Sequence, residues 1–154
     1  MADWIDNELW IIGEASQLRV FKERADERFL PLSERDPYNG VTSPSVLSFH
    51  RLFPMPADVI ARGYDPPGGG YDWQKENWGI KWGAHDAVLH DASLQEFGDC
   101  LVYAFETAWE PPSVFFQKVS SFYPYLIFDL KPNYPDNDWL EEVTFQAGVE
   151  LEEF

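Results

Sequence analysis

Positive charge is what this sequence has least of: 11 lysines and arginines stand against 27 aspartates and glutamates in 154 residues, a formal net charge of −16. Such a balance disfavours attraction to DNA, RNA or anionic lipid and favours a basic partner; keeping the chain soluble is the other role open to so much acid. Cysteine is nearly absent. Cys100 stands alone, which excludes an internal disulfide framework, suits a reducing cytoplasm and, just before an apolar run, reads as a small buried thiol. No run of about 18 apolar residues occurs, so no membrane span is expected. The N-terminal Met-Ala-Asp-Trp-Ile-Asp has no basic region ahead of an apolar one, so no signal peptide is expected either. What is present is core material. With 45% hydrophobic and 17% aromatic residues, the chain is no disordered acidic tail, and residues 1–154 read as a single domain.

Catalytic signatures are also scarce. His85-Asp86 and His90-Asp91 offer ligand types for a divalent ion, but pairs at this spacing face apart on both helix and strand, and His50 is the one further histidine. Pro66-Pro67-Gly68-Gly69-Gly70 lacks the Gly-Lys-Ser/Thr of a phosphate loop and reads as a flexible connector. Glu106 reads as half of a structural ion pair with Lys81, with general acid or base as the alternative. The expectation is no catalytic residue, no metal and no cofactor; an enzyme using His85, Asp86, His90 or Glu106 is the minor reading.

The elements follow from periodicity. Asn7 to Gly13 reads as a central strand, and Ser16 as the cap of a helix to about Glu27 with Leu18, Phe21 and Ala25 inward. That helix carries Arg19, Lys22, Arg24 and Arg28, the one dense run of positive charge, which leaves a self-association contact with the acidic tail of a second copy as an open arrangement. Residues 31 to 44 read as loop, Val46 to Phe53 as a strand ended by Pro54, and Asp58 to Arg62 as one helical turn. Asn77-Trp78-Gly79-Ile80-Lys81-Trp82-Gly83 alternates and holds two glycines, which favours a short strand over a helix. Leu101 to Trp109 is the strongest strand, with Val102, Ala104 and Glu106 on its second face. Pro111-Pro112-Ser113 opens a helix to Phe122 with Phe115, Val119 and Phe122 inward. Tyr125 to Leu130 reads as a strand, and Trp139 to Leu151 as a final extended segment.

Acid concentrates at the ends. Asp136, Asp138, Glu141, Glu142, Glu150, Glu152 and Glu153 follow the last basic residue, Lys131, while Asp3, Asp6, Glu8 and Glu14 precede the first, Arg19. If the ends lie on neighbouring strands they make one strongly negative surface. Tyr71, Trp73 and Trp78 are the candidate aromatic anchors for a partner beside it.

The order of elements matches an α+β, ferredoxin-like βαββαβ sandwich with an insertion at about 31–72 and an additional C-terminal strand. The tryptophan stretch and the insertion are expected on the open face of its sheet. Here the chain resembles the YubB-type ferredoxin-like domain family of phages and conjugative plasmids. The resemblance rests on Asn77-Trp78-Gly79-Ile80-Lys81-Trp82 and Thr107-Ala108-Trp109-Glu110-Pro111-Pro112, with support from Leu52-Phe53-Pro54-Met55-Pro56, Phe122-Tyr123-Pro124, Leu126-Ile127-Phe128 and Phe145-Gln146-Ala147-Gly148. It implies a fold and a mobile-element setting, and no general enzymatic activity. Charge and setting together point to a cytoplasmic protein that antagonises a host nucleic-acid-binding defence system, a CRISPR or restriction effector, by mimicking DNA. Its partner would be a host protein with a basic nucleic-acid-binding surface, with no direct nucleic-acid or membrane contact. The alternative is a general interaction module or assembly subunit whose acidity keeps it soluble.

Overall fold

The computed structural model describes residues 4–38, 44–90, 99–133 and 142–152. It is an α+β structure: a six-stranded antiparallel sheet in the order β2-β3-β1-β4-β5-β6, with helices packed on one face. The strands are β1 (Trp4–Ile12), β2 (His85–Leu89), β3 (Cys100–Ala108), β4 (Ile127–Asn133), β5 (Val143–Gln146) and β6 (Val149–Leu151). The helices are α1 (Ala15–Ala25), α2 (Phe49–Leu52), α3 (Ala57–Ala61), α4 (Gly70–Asn77) and α5 (Ser113–Phe122). Among the described residues, no helix is long and apolar enough to cross a membrane.

Alternation decides which face is covered. On β1, Ile5, Asn7, Leu9 and Ile11 are buried, and on β3 their register partners Thr107, Phe105, Tyr103 and Leu101 are buried beside them. Against this face pack Leu18, Phe21 and Ala25 of α1 and Phe115, Phe116 and Val119 of α5. Both helices keep the inward residues expected of them, except that Phe122 is 47% exposed. Helix α1 starts without a side-chain cap, at Glu14 rather than Ser16.

Two expected strands are absent. Val46 to Phe53 instead holds α2, because Ser48 caps it by accepting a hydrogen bond from the Arg51 backbone N–H at 3.2 Å, and Phe49 and Leu52 are buried one turn apart. The tryptophan stretch is the end of α4 and the loop after it. Gly79, at φ +77°, sits just past the helix, and its N–H reaches the Gln74 carbonyl at 3.0 Å; this left-handed closure is why glycine stands there. The same site is also a close approach, since a Cβ on Gly79 would lie 2.8 Å from Val114 Cβ. Trp78 and Ile80 therefore enter the core under the helices, not the open face of the sheet, and Trp78 meets Phe49 and Phe115 edge-on at 5.7 Å each.

Further corrections follow. The second strand of the sheet is β2, which sequence alternation does not announce, so the segment between α1 and β2 runs from 26 to 84 and contains the stretch expected as an insertion. The glycine run is no loose connector. Gly69 precedes α4, and the Gly70 and Tyr71 N–H groups bond the Gly63 and Tyr64 carbonyls, both at 2.9 Å. Lastly, the terminal segment folds back at Ala147 and Gly148, at φ +52° and +82°, giving the β5-β6 hairpin.

Candidate functional site

The face of the sheet away from the helices carries the second half of the alternation. From β1 it receives Trp4, Asp6, Glu8, Trp10 and Ile12, which fall between the buried positions. Register then builds rows across the strands. Asp6 stands opposite Glu106 of β3 and Asn133 of β4, and Glu106 stands opposite His85 of β2. Glu8 stands opposite Ala104 and Lys131, and Ala104 opposite Val88. The irregular register between His85 and Val88, with Asp86 at φ +50°, adds a further carboxylate at this edge.

A groove of about 480 Å³ opens on this face, lined by Asp6, Glu8, Asp86, Glu106, Ala104 and Lys131 among others. Ala104 gives it depth, since the side chains around it are longer. Asp6, Glu106 and Asp86 make no side-chain hydrogen bond or ion pair among the described residues. Glu8 accepts a hydrogen bond from the Trp10 Nε1–H. Lys131 places its Nζ 4.7 Å from the Trp10 ring centre and 4.0 Å from a Glu142 oxygen. Directly opposed like charges destabilise a sheet, so Asp6 and Glu106 are not there for stability.

Rings close one end of the groove. With the small Ala108 opposite it, Trp4 reaches across β3 to stack on His85, ring centres 4.8 Å apart, and tilts against Trp82 at 6.2 Å. Lys81 does not pair with Glu106; its Nζ lies 4.1 Å from the Trp82 ring and 5.9 Å from the Trp109 ring. Trp82 and Trp109 both hold left-handed backbone, φ +74° and +72°, a conformation that costs a bulky residue about 1–3 kcal/mol. Buried Gln74 secures the first by accepting from the Trp82 N–H at 3.0 Å and the Tyr64 hydroxyl at 3.2 Å. Thr107, which donates to the Glu110 carbonyl at 2.7 Å, secures the turn after the second.

At the other flank, Asp129 stands opposite Trp10 and Thr144. Burial, reinforced by neighbouring Glu142, pushes its carboxyl up to about 7, against the opposing pull of Lys131 and the Thr144 hydroxyl. This face therefore loses negative charge as pH falls through neutrality. Elsewhere, burial pushes the Cys100 thiol up, as befits an inert thiol, and pushes His50 down. His50 Nδ1 accepts from the Met55 N–H at 3.0 Å. Among the described residues, no group of three or more His, Cys, Asp or Glu could hold a metal ion.

The residues singled out in the sequence scatter. Trp78 is fully buried and donates through Nε1 to the Phe53 carbonyl at 3.0 Å, so it is a core residue rather than an anchor. Trp73 is half-buried against Phe53 and Trp78, and Tyr71 is half-buried against Tyr64. Glu142 joins the sheet face through Lys131. Glu150 and Glu152 are exposed at the β6 edge. Asp136, Asp138, Glu141 and Glu153 lie outside the described residues. The two acidic ends are not on neighbouring strands, because β4 separates β1 from β5. Asp6 and Glu8, named in the sequence for their charge, prove to sit on β1 between Trp4 and Trp10, which the sequence did not single out: residues 4–12 alternate in burial but not in polarity, so the start of β1 at Trp4 rather than Asn7 was not legible.

Neither a family model nor a curated protein matches this sequence. Among solved structures, the chain is similar to the protein Api92 of Yersinia pseudotuberculosis, described under the family model DUF1281. The TM-score is 0.72 over 99% of this chain and 97% of that one, at 9% identity, a likeness of fold alone.

Proposed function

We propose that this protein is an acidic binding protein of a phage or plasmid that occupies the basic surface of a host nucleic-acid-binding defence protein, a CRISPR or restriction effector, inside the bacterial cell. The observation that carries the reading is the gathering of Asp6, Glu8, Asp86 and Glu106 around one groove on the face of the sheet away from the described helices. Asp6 and Glu8, two residues apart on a strand, set carboxylates at about 6.6–6.8 Å intervals. A row of this kind competes for the lysines and arginines that otherwise meet a phosphate backbone. Of the C-terminal carboxylates, Glu142 adds to this field through its contact with Lys131, while Glu150, opposite buried Phe145, falls on the other side of the sheet. A YubB-type, ferredoxin-like reading of the fold is supported by the run β2-β3-β1-β4, all antiparallel, with α1 following β1 and α5 joining β3 to β4.

A general interaction module is the second reading, and exposed apolar residues favour it: Ile12, Val88, Val149 and Leu151 are 41%, 53%, 59% and 38% exposed. Affinity capture from bacterial lysate separates the two. The baits are the wild-type chain and a triple variant, Asp6→Lys with Glu8→Lys and Glu106→Lys, eluted by rising salt. A nucleic-acid-binding protein that leaves the wild-type bait as salt rises, and never binds the variant, supports antagonism. A partner that holds both baits through high salt points to the module.

A further inference from the structure

The sheet face away from the described helices differs from a merely charged surface in having its carboxylates interleaved with flat rings. Trp4, Asp6, Glu8 and Trp10 project from one face of a single strand, so two acids are bracketed by two indoles. The protein already seats one of its own cations here by ring and carboxylate together, Lys131 over Trp10 beside Glu142, and a second by rings alone, Lys81 over Trp82. Asp6 and Glu106, directly opposed, have no such cation.

We propose that this face docks an extended, arginine-rich segment of a protein partner, and that guanidinium rather than ammonium is the chemistry it recognises. The inference rests on the antagonist reading above and names the partner's side of it. Charge complementarity selects a cation, and the rings and opposed acids select which one. A guanidinium is planar, presents a fork of donors matched to carboxylate oxygens, and stacks on indole; an ammonium is a strongly hydrated point charge that gains little from either feature. An extended chain places every second side chain on one side at about 6.6–6.8 Å, the interval at which β1 offers Asp6 and Glu8. Alternate arginines then meet successive carboxylates, with the chain lying over Ala104.

The test uses the full protein and two short synthetic peptides, one alternating arginine with glycine, the other lysine with glycine, titrated by calorimetry. The arginine peptide is expected to bind at least tenfold more tightly. Asp6→Asn and Glu106→Gln should each weaken it about tenfold while narrowing the gap to the lysine peptide. Glu23→Gln and Glu76→Gln, on the helix side, should change neither affinity. Thermal melts of all four variants establish that any loss is not unfolding. Equal binding of the two peptides, lost alike in salt, overturns recognition of guanidinium and leaves antagonism by charge standing. Binding by neither peptide overturns the docking inference, and the lysate capture then judges the antagonist reading by itself. Self-association of the chain that displaces the arginine peptide overturns it too, by naming a second copy as the occupant.

Discussion

Asp6 on β1 stands directly opposite Glu106 on β3, on the face of the sheet away from the described helices, and neither carboxylate has a partner among the described residues. Removing one charge should therefore stabilise the fold. Asp6→Asn or Glu106→Gln is expected to raise the unfolding free energy by about 0.5 kcal/mol at neutral pH and low salt, a gain that fades at high salt. Urea titration at two salt concentrations measures it. A loss of stability would mean that the pair is held by an attraction this account lacks.

Trp78 belongs to the core, and its removal should cost accordingly. Trp78→Ala is expected to destabilise by about 3–5 kcal/mol. Trp78→Phe keeps a ring against Phe49 and Phe115 but strands the Phe53 carbonyl, at about 1–3 kcal/mol. If Trp78→Ala left stability intact and instead removed partner binding, the buried placement would be wrong.

Gly79 and Gly63 separate backbone conformation from crowding. Both have positive φ, +77° and +84°, yet a Cβ on Gly79 meets Val114 at 2.8 Å while one on Gly63 meets nothing within 4 Å. Gly63→Ala should cost about 1–2 kcal/mol, and Gly79→Ala clearly more. Equal losses in chemical denaturation would show that Val114 simply moves aside.

Asp129 supplies a pH dependence. Its folded-state carboxyl is raised to about 7, above its unfolded value, so the native state holds this proton more tightly. The group's contribution is fully favourable below the unfolded value and is lost as pH rises through about 7. Asp129→Asn should therefore gain stability over wild type at mildly alkaline pH, with the difference shrinking toward pH about 4. A pH-independent difference in urea midpoint would contradict this.

Local pattern made part of this architecture legible. The alternation of Leu101 to Ala108, the inward stripe of α1, and Pro111-Pro112-Ser113 ahead of α5 each reflect a choice settled by neighbours in sequence. The failures have a common cause. At Gly79 and Gly83, glycine serves positive φ, +77° and +74°, where the alternation of Trp78, Ile80 and Trp82 suggested a strand. At Phe49 and Leu52 the Ser48 cap outweighed alternation. His85 to Leu89 lacks an alternating pattern because β2 is an exposed, irregular edge. The groove was illegible for a different reason: Asp6, Glu106 and Asp86 come from β1, β3 and β2, and register alone unites them. The charge was plain in the composition, but the gathering of Asp6, Glu8, Asp86 and Glu106 around one groove was not.

The most direct measurement is displacement of duplex DNA from the captured partner, titrated with the wild-type chain and with the Asp6→Lys, Glu8→Lys, Glu106→Lys variant. The wild type is expected to release the DNA stoichiometrically, with release weakening steeply as salt rises, and the folded variant is expected to fail to compete. Equal competition by both proteins would contradict the claim that the open sheet face carries the function.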